Sequence, residues 1–228
     1  MTGFFLTFFF TRNIIFLTRF HLITLQSEKA QPLLDQDKMK QVLTLLSLFL
    51  FFGLQAFSQN QPTVLITYFS QSGNTKILAE AVAEGAKSVE GIEVKLLAIE
   101  EVNPVELLEA EAIIVGSPVY NGNPAPPVLE FINSWPFENR PLMDKLGAAF
   151  VTGGGISIGE EGVMIDILRA MLIHGMIVMG GEEVEAAFGA SAITGEGPFE
   201  NEKMDDIFLR KGFGLGKRVA EKAMQISK

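Results

Sequence analysis

A short loop rich in hydroxyl groups lies between an apolar strand pattern and a helical pattern. Residues 64–69 read VLITYF, and residues 76–83 place apolar side chains at helical spacing. The loop between them consists of Ser70, Gln71, Ser72, Gly73, Asn74 and Thr75. The start of a helix exposes unpaired N–H groups and a partial positive charge, so it attracts anions. We therefore predict a phosphate-binding loop; the alternative is an ordinary helix cap, because Ser, Thr and Asn are also common capping residues.

The composition of this loop indicates which phosphate it binds. Loops that bind nucleotide triphosphates carry spaced glycines followed by Lys and Ser or Thr, and that pattern is absent here. The Gly-x-Gly-x-x-Gly pattern of dinucleotide-binding loops is also missing from residues 70–75. Hydroxyl groups without an obligatory cation fit a terminal monophosphate, such as the phosphate of FMN.

Strand and helix patterns alternate along the rest of the chain. We predict strands over residues 64–69, 92–98, 112–116, 146–152 and 176–179, and helices after residue 76 and over residues 103–108, 127–134, 160–174 and 202–224. The run at 112–116 is apolar throughout, as expected for a strand covered on both faces. Repeated strand–helix order predicts an α/β fold with a five-stranded parallel sheet, right-handed crossovers and helices on both faces.

The first 58 residues differ from the rest of the chain, since they hold 11 of the 19 Phe residues in two hydrophobic stretches. Residues 39–58 have a basic start, a mostly apolar run and small residues near the end, which is typical of a secretory signal peptide. We expect translation to begin at Met39, with residues 1–38 as upstream sequence or a disordered leader and residues 59–228 as the mature domain. The alternative is a retained N-terminal membrane anchor, although the apolar run of 16 residues is short for a membrane span.

Charge and residue counts exclude several classes of function. The whole chain has a net charge of −9, and the first 58 residues hold five basic and three acidic side chains, so the remainder carries −11. Nucleic acids and anionic membranes are therefore poor partners, and the folded domain is not expected to be embedded in a membrane. The chain has no Cys, and His174 is the only His after residue 58, so we predict neither a metal site nor a His-based triad. We expect an exported protein, periplasmic or secreted, if residues 39–58 are a signal peptide, and a cytoplasmic protein otherwise.

The predicted strands and loops resemble the flavodoxin-like fold, a three-layer sandwich whose parallel sheet has the strand order 2-1-3-4-5. In that fold FMN binds beyond the carboxyl ends of the strands, at the switch point between strands 1 and 3. Residues Ser70–Thr75 match the phosphate loop of the family. The resemblance implies that two further loops contact the flavin ring. One covers residues 117–123 after strand 3, and its expected flavin contacts are Pro118, Val119, Tyr120, Asn121 and Gly122. The other, after strand 4, consists of Thr152, Gly153, Gly154 and Gly155.

The closer resemblance is to the NAD(P)H:quinone oxidoreductase branch, which is related to the tryptophan-repressor-binding flavoproteins. It covers residues 63–224. The resemblance rests on these motifs: Gly-Ser-Pro at 116–118, Gly-Asn at 122–123, Thr-Gly-Gly-Gly at 152–155, His-Gly-Met at 174–176 and the small residues between 189 and 195. The branch often has Thr-Arg-Phe where this chain has Val-Tyr-Asn, at 119–121. The resemblance implies FMN as cofactor, NAD(P)H as electron donor, a quinone as acceptor, and assembly into a homodimer or homotetramer.

Within this resemblance, individual residues have expected roles, and Tyr120 and His174 are the expected catalytic groups. Tyr120 stacks on the ring or contacts its edge, the alternative being a half-exposed loop aromatic. The glycines at 153–155 let the ring approach and offer it their N–H groups, the alternative being a flexible surface turn. His174 is either an active-site group beside the flavin or a cap at the end of a helix. The segment at 195–198, Gly-Glu-Gly-Pro, is interpreted as a mobile turn.

We therefore predict FMN-dependent electron transfer from NAD(P)H to a quinone-type acceptor. One alternative is a non-enzymatic electron carrier of the flavodoxin type, whose acidic surface docks a redox partner. Another is a flavin-binding sensor or scaffold protein. The enzyme and the carrier differ in access to the ring, because an enzyme needs an open cavity above the flavin whereas a carrier buries the flavin except at one edge.

Overall fold

The computed structural model describes residues 39–45, 61–200 and 203–227. The chain divides into two units, residues 1–59 and residues 60–228. In the first unit, residues 39–45 are helical and exposed, and the rest of the predicted leader lies outside the described residues. Among the residues that the structure describes, no helix is both long and apolar enough to cross a membrane.

The second unit alternates strands and helices, which are numbered here from its own first strand. The strands are β1 (Thr63–Tyr68), β2 (Glu93–Ala98), β3 (Ala112–Tyr120), β4 (Asn123–Pro124), β5 (Leu146–Gly153), β6 (Ile177–Val178) and β7 (Ala190–Ile193). The α-helices are α1 (Asn74–Lys87), α2 (Pro104–Glu109), α3 (Pro126–Asn133), α4 (Glu160–Ile173) and α5 (Asp206–Ile226). Short 3-10 helices lie in the connections, at Ile99–Glu101, Val184–Ala186 and Gly197–Phe199.

The sheet confirms the predicted strand order. β1 pairs in parallel with β2 on one side and with β3 on the other, and β3 pairs in parallel with β5. β6 follows β5, so the order β2-β1-β3-β5-β6 corresponds to the predicted 2-1-3-4-5. From β1 the chain continues outward to β2 on one side, and from β3 it continues outward to β5 and β6 on the other, so the strand order reverses between β1 and β3. Such a switch point leaves a crevice outside the carboxyl ends of the strands, where ligands bind in open α/β sheets.

The outer edge of the sheet differs from the prediction of five strands. β6 pairs with the first two residues of β5, whereas β7 pairs with its last four. The chain leaves the sheet over residues 179–189, so two short strands share the fifth position. The sequence ASAI of β7 is too short and too rich in small residues to show a strand pattern, which is why the sequence predicts only a connection there. β4 is a further addition, pairing antiparallel with the end of β3.

Helices cover both faces of the sheet, which confirms the three-layer arrangement. On one face Phe150 of β5 packs in a buried cluster with Leu78 of α1 and Leu215 of α5. On the other face Val151 packs in a second cluster that includes Ile167 of α4. Neighbouring residues of β5 thus point to opposite faces, as the pleat of a strand requires. Burial of each large apolar side chain stabilises the fold by about 1.5–3 kcal/mol. This packing also fixes the strand ends, from which the loops extend.

Helices α1 and α5 approach each other most closely at glycines. A Cβ atom on Gly85 of α1 would overlap the carbonyl oxygen of Phe213, and one on Gly216 of α5 would overlap the carbonyl oxygen of Val82. Only hydrogen atoms fit at these two positions. This contact sets the position of α1, whose first turn belongs to the predicted phosphate loop.

Candidate functional site

The three predicted loops meet at the carboxyl edge of the sheet. The Tyr120 hydroxyl donates a hydrogen bond to Oε1 of Gln71 at 2.6 Å, which joins the second loop to the first. The hydroxyl oxygens of Thr75 and Thr152 lie 2.7 Å apart, which joins the first loop to the third. Pro118 pairs with Thr152 between β3 and β5. The structure therefore brings together the predicted cofactor-binding residues at 70–75, 118–122 and 152–155.

The first loop retains donors for an anion. Gly73 precedes α1 with a φ of 93°, a left-handed conformation that glycine adopts without strain. The N-cap residue Gly73 has no side chain to cap α1, and among the described residues the N–H groups of Asn74 and Thr75 have no side-chain acceptor, so these two stay available to a ligand. The Ser70 hydroxyl accepts a hydrogen bond from the N–H of Lys76 at 3.3 Å, and its own proton remains available for donation. Ser72 is exposed. These features favour an anion-binding loop over an ordinary helix cap.

The second loop is largely a β-hairpin. Residues 117–120, predicted as loop, extend β3 to Tyr120, and the chain turns at Asn121 and Gly122 with φ values of 52° and 73°. Two central residues with positive φ are typical of the type I′ turn, for which Asn-Gly is the preferred sequence. The turn is exposed, and Asn123 pairs with Tyr120 on the returning strand. Asn121 and Gly122 are thereby placed at the tip of the hairpin, and Tyr120 at its base.

A buried serine anchors this hairpin. The Ser117 Oγ accepts a hydrogen bond from the N–H of Ala125 at 2.9 Å and donates one to the carbonyl oxygen of Pro118 at 2.8 Å. Ser117 is fully buried, and Ala125 immediately follows β4. The hydroxyl therefore ties the returning strand of the hairpin to β3, and with it the position of Tyr120.

Replacing Ser117 by alanine is expected to destabilise the domain by about 1–3 kcal/mol, because the buried N–H of Ala125 loses its acceptor. Urea unfolding measures the change. Ser134→Ala is the matched control, since the Ser134 hydroxyl is exposed and donates only to the nearby Phe131 carbonyl. We expect the control to change stability by no more than about 0.5 kcal/mol. Equal losses in the two variants would contradict the anchoring role of Ser117.

The third loop exposes backbone and apolar side chains. Gly154 is exposed, and a Cβ atom there would meet no atom within 4 Å. Ile156 and Ile158 follow in the same loop with exposures of 50% and 38%. A Cβ atom on Gly159 would lie 3.0 Å from the Cα of Gly122, so the end of this loop touches the tip of the hairpin. The second and third loops are thus in contact, as the first is with each of them.

Acidic side chains influence the start of the first loop. Tyr68 ends β1, two residues before Ser70. Burial raises the pKa of the Tyr68 phenol, and the carboxylates of Glu101, Glu80 and Glu100 raise it further. The phenol therefore stays protonated at physiological pH. These carboxylates repel a bound anion. The N–H and hydroxyl donors of the loop must therefore offset this repulsion for an anion to bind.

His174 is the predicted site residue that the structure separates from the others. It caps the C-terminal end of α4, shortly before β6, which pairs with the first residues of β5. The three loops lie at the other end of β5, and a strand of that length spans roughly 20–25 Å. Within one chain His174 therefore lies too far from these loops to be a catalytic group beside the flavin, which corrects that assignment. The backbone places it at the C-cap position of α4.

Packing explains the properties of His174. Its ring contacts those of Trp135 and Phe137, with centroid distances of 5.4 Å in both pairs. The side chain is 8% exposed. Burial lowers the pKa of the imidazole, and the positive charge of Arg140 lowers it further. His174 is thus a neutral packing residue at neutral pH.

Comparison with known proteins agrees with this architecture. Residues 65–169 match the model of the flavodoxin domain. A flavodoxin of Aquifex aeolicus is 34% identical over 164 residues, which cover 69% of this chain and 85% of that protein. The chain belongs to the flavodoxin family. Another family relative, an NAD(P)H dehydrogenase (quinone) of Archaeoglobus fulgidus, is 30% identical over 192 residues, covering 72% of this chain and 98% of the relative.

Solved structures of flavodoxins extend the comparison. A flavodoxin from the domain Archaea is 30% identical, with a TM-score of 0.56, and the match covers 71% of this chain and 99% of that chain. A WrbA-like flavodoxin from Agrobacterium tumefaciens has a TM-score of 0.59 at 24% identity, and the match covers 72% and 98% of the two chains. At that identity the second match shows the fold alone, and it is the fold described above.

Membership of the flavodoxin family implies FMN binding, and the residues at the carboxyl edge fit this cofactor. A Cβ atom at Gly73 or Gly154 would meet no atom within 4 Å, so the first and third loops both border open space. Ser70, Ser72 and the first N–H groups of α1 would hold the phosphate. Tyr120 and the glycine-rich loop would hold the ring. When bound, FMN supplies one- and two-electron redox chemistry, and the protein supplies its position and access.

Sequence analysis missed residues that hold these loops in place. Ser117 is assigned to the second loop but not recognised as its anchor, although a polar residue at the end of a buried strand needs a hydrogen-bond partner and so gives a usable signal. Thr194 is another, since its N–H and hydroxyl donate to the Gly153 carbonyl at 2.9 and 3.2 Å. Glu196 accepts a hydrogen bond from the N–H of Ile156 at 2.6 Å. The last two residues lie 41 and 40 positions from their partners, so no local pattern reveals them.

Proposed function

We propose that this flavodoxin-family protein is an FMN-dependent oxidoreductase that accepts a hydride from NAD(P)H and passes the electrons to a quinone-type acceptor. The observation that carries the proposal is the exposure of the third loop at Gly154, Ile156 and Ile158. Gly153 and Gly155 of the same loop are buried. A donor and an acceptor must both reach the ring of such an enzyme, whereas a carrier buries its flavin except at one edge. The loop at 153–159 contains no aromatic residue that could cover the ring, and Gly154 borders open space.

The side chains around this opening suit a flat, apolar acceptor. Ile156 and Ile158 are exposed at the carboxyl edge, and Tyr120 is half-buried at the base of the facing hairpin. Contact with such side chains favours a quinone over a small polar acceptor, because apolar area is removed from water on binding. The relative named NAD(P)H dehydrogenase (quinone) supports the same donor and acceptor.

In the proposed reaction the residues of this chain position the flavin ring. The Tyr120 hydroxyl donates to Gln71, so the tyrosine is held to orient the ring rather than to transfer a proton. The N–H groups of the third loop offer donors to the polar edge of the ring, where electron density increases on reduction. Close approach of a bound hydride donor to this ring then lowers the barrier through orientation.

A flavodoxin-type electron carrier is the second candidate. The relative named flavodoxin is more similar to this chain than the relative named dehydrogenase, at 34% against 30% identity. The chain after residue 58 also carries a net charge of −11, which suits docking to a basic redox partner.

Cofactor titration and steady-state kinetics test the proposal. We expect the purified protein to bind FMN near one per chain and FAD poorly, because a terminal phosphate fits the first loop better than a pyrophosphate does. The FMN-loaded protein should oxidise NAD(P)H in the presence of a water-soluble quinone at roughly 1 per second or faster. Absence of FMN binding at micromolar protein would contradict both candidates. FMN binding without quinone-dependent NAD(P)H oxidation would favour the carrier.

We also propose that the domain is exported, on the sequence of residues 39–58. Export separates the protein from cytosolic NAD(P)H, so its physiological donor is then a membrane quinol or a redox protein, while NAD(P)H still reduces it in vitro. Fractionation of the native host with a tag at the C-terminus is expected to place a protein of the size of residues 59–228 outside the cytoplasm. A cytoplasmic protein with the mass of all 228 residues would contradict export and favour the nicotinamide donor.

A further inference from the structure

A carboxylate is bonded to the backbone of the third loop. The side chain of Glu196 accepts a hydrogen bond from the N–H of Ile156 at 2.6 Å. Glu196 lies in the connection between β7 and α5, so it reaches the loop from a different part of the chain. A short hydrogen bond from N–H to a carboxylate is stronger than one between neutral groups.

The loop and this connection are shaped to fit each other. A Cβ atom on Gly155 would lie 2.6 Å from Oε2 of Glu196, so a side chain at position 155 would displace the carboxylate. A Cβ atom on Gly195 would lie 3.0 Å from the carbonyl oxygen of Gly154. Thr194 donates twice to the carbonyl oxygen of Gly153. Three consecutive residues, Thr194 to Glu196, therefore lie against residues 153–156 of the loop.

These contacts order a loop that has little order of its own. Residues 153–155 are all glycine, and glycine loses more conformational freedom on folding than any other residue. A ligand that must order a flexible loop binds more weakly than one that meets a loop already in place. The segment at 195–198, interpreted from the sequence as a mobile turn, is bonded to this loop through Glu196.

We propose that Glu196 is a positioning residue that holds the third loop ready for the isoalloxazine ring and so sets the affinity for the ring rather than for the phosphate. The inference rests on the binding of flavin by this site. The affinity for the phosphate and the affinity for the ring can be measured separately, because the first loop holds the phosphate and the third loop meets the ring. Riboflavin contains the ring without the phosphate, so a residue acting on the ring should affect riboflavin and FMN equally.

Titration of Glu196 variants with FMN and riboflavin tests the proposal. Glu196→Ala is expected to weaken the binding of both flavins by the same factor, about tenfold. This is the effect of losing one hydrogen bond to a charged but exposed acceptor. Glu196→Gln keeps an acceptor oxygen and should remain within about threefold of the natural protein. Glu200→Ala, which removes an exposed carboxylate four residues away, is the matched control and should change neither affinity. Unchanged binding in Glu196→Ala, or a loss for FMN alone, would overturn the proposal.

Hydrogen exchange without flavin provides a readout that does not depend on the cofactor. The amide of Ile156 should exchange faster in Glu196→Ala than in the natural protein or in Glu196→Gln. An equal rise in exchange across the sheet would show a general loss of stability and overturn the positioning role. If the natural protein bound neither flavin, the proposed function would fail, and unchanged exchange at Ile156 would separately show that Glu196 does not hold the loop.

Discussion

Replacing Ser72 by alanine is expected to weaken FMN binding by roughly 10- to 150-fold while leaving riboflavin binding almost unchanged. In the proposed site the variant would remove a hydrogen bond to a charged phosphate oxygen. Such a bond contributes about 1.5–3 kcal/mol, which gives this range of affinity. Ser72 is exposed, so the fold does not depend on burying its side chain. Fluorescence titration with both flavins measures the two affinities.

The matched control is Ser88→Ala at the opposite end of α1, where the hydroxyl donates to the carbonyl oxygen of Gly85. This variant deletes the same group from the residue that follows α1, at the amino edge of the sheet, and should bind both flavins like the natural protein. Equal losses of FMN and riboflavin affinity in Ser72→Ala would mean that the loop supports the fold rather than the phosphate.

Thr75 is a less selective test of the same loop. Its side chain is 2% exposed, and its hydroxyl bonds that of Thr152. Alanine at position 75 would therefore remove the link between the first and third loops as well as any contact with phosphate. We expect Thr75→Ala to weaken the binding of both riboflavin and FMN, whereas Ser72→Ala weakens the binding of FMN alone.

Replacing Gly216 by alanine is expected to destabilise the domain by about 3 kcal/mol or more. The added methyl group would overlap the carbonyl oxygen of Val82 on α1, so the two helices would have to separate. The intrinsic preference of alanine for helices recovers only about 1 kcal/mol, which is too little to offset the overlap. Since α1 begins at the phosphate loop, any protein that still folds should also bind FMN more weakly than the natural protein.

Gly214→Ala is the control for this variant, because it makes the same change on the same helix. A Cβ atom at position 214 would lie 3.5 Å from the Cβ of Glu182, an ordinary packing distance. This variant should keep or raise stability by up to about 1 kcal/mol, from helix preference alone. Urea unfolding of the two variants measures the difference, and a Gly216→Ala protein as stable as Gly214→Ala would contradict the close helix contact.

Local patterns in the chain were enough to predict the order of strands and helices, the parallel sheet and the position of the three loops. Apolar runs such as 112–116 identify strands covered on both faces. The hydroxyl-rich segment at 70–75 identifies a helix start that suits an anion. These features depend on neighbouring residues, and in a sheet of repeated strand–helix units the carboxyl ends of the strands lie at one edge. The convergence of the loops follows from that topology.

Contacts between distant residues had no local signal and became visible only in the folded domain. The bonds from Tyr120 to Gln71 and from Thr75 to Thr152 join residues 49 and 77 positions apart. The fifth strand is divided because β6 and β7 pair with opposite ends of β5. His174 has the same neighbours in sequence whichever role it plays, and only the register of β6 against β5 places it at the edge away from the loops. Packing and strand register, rather than residue type, separate the residues that form the site from those that support the fold.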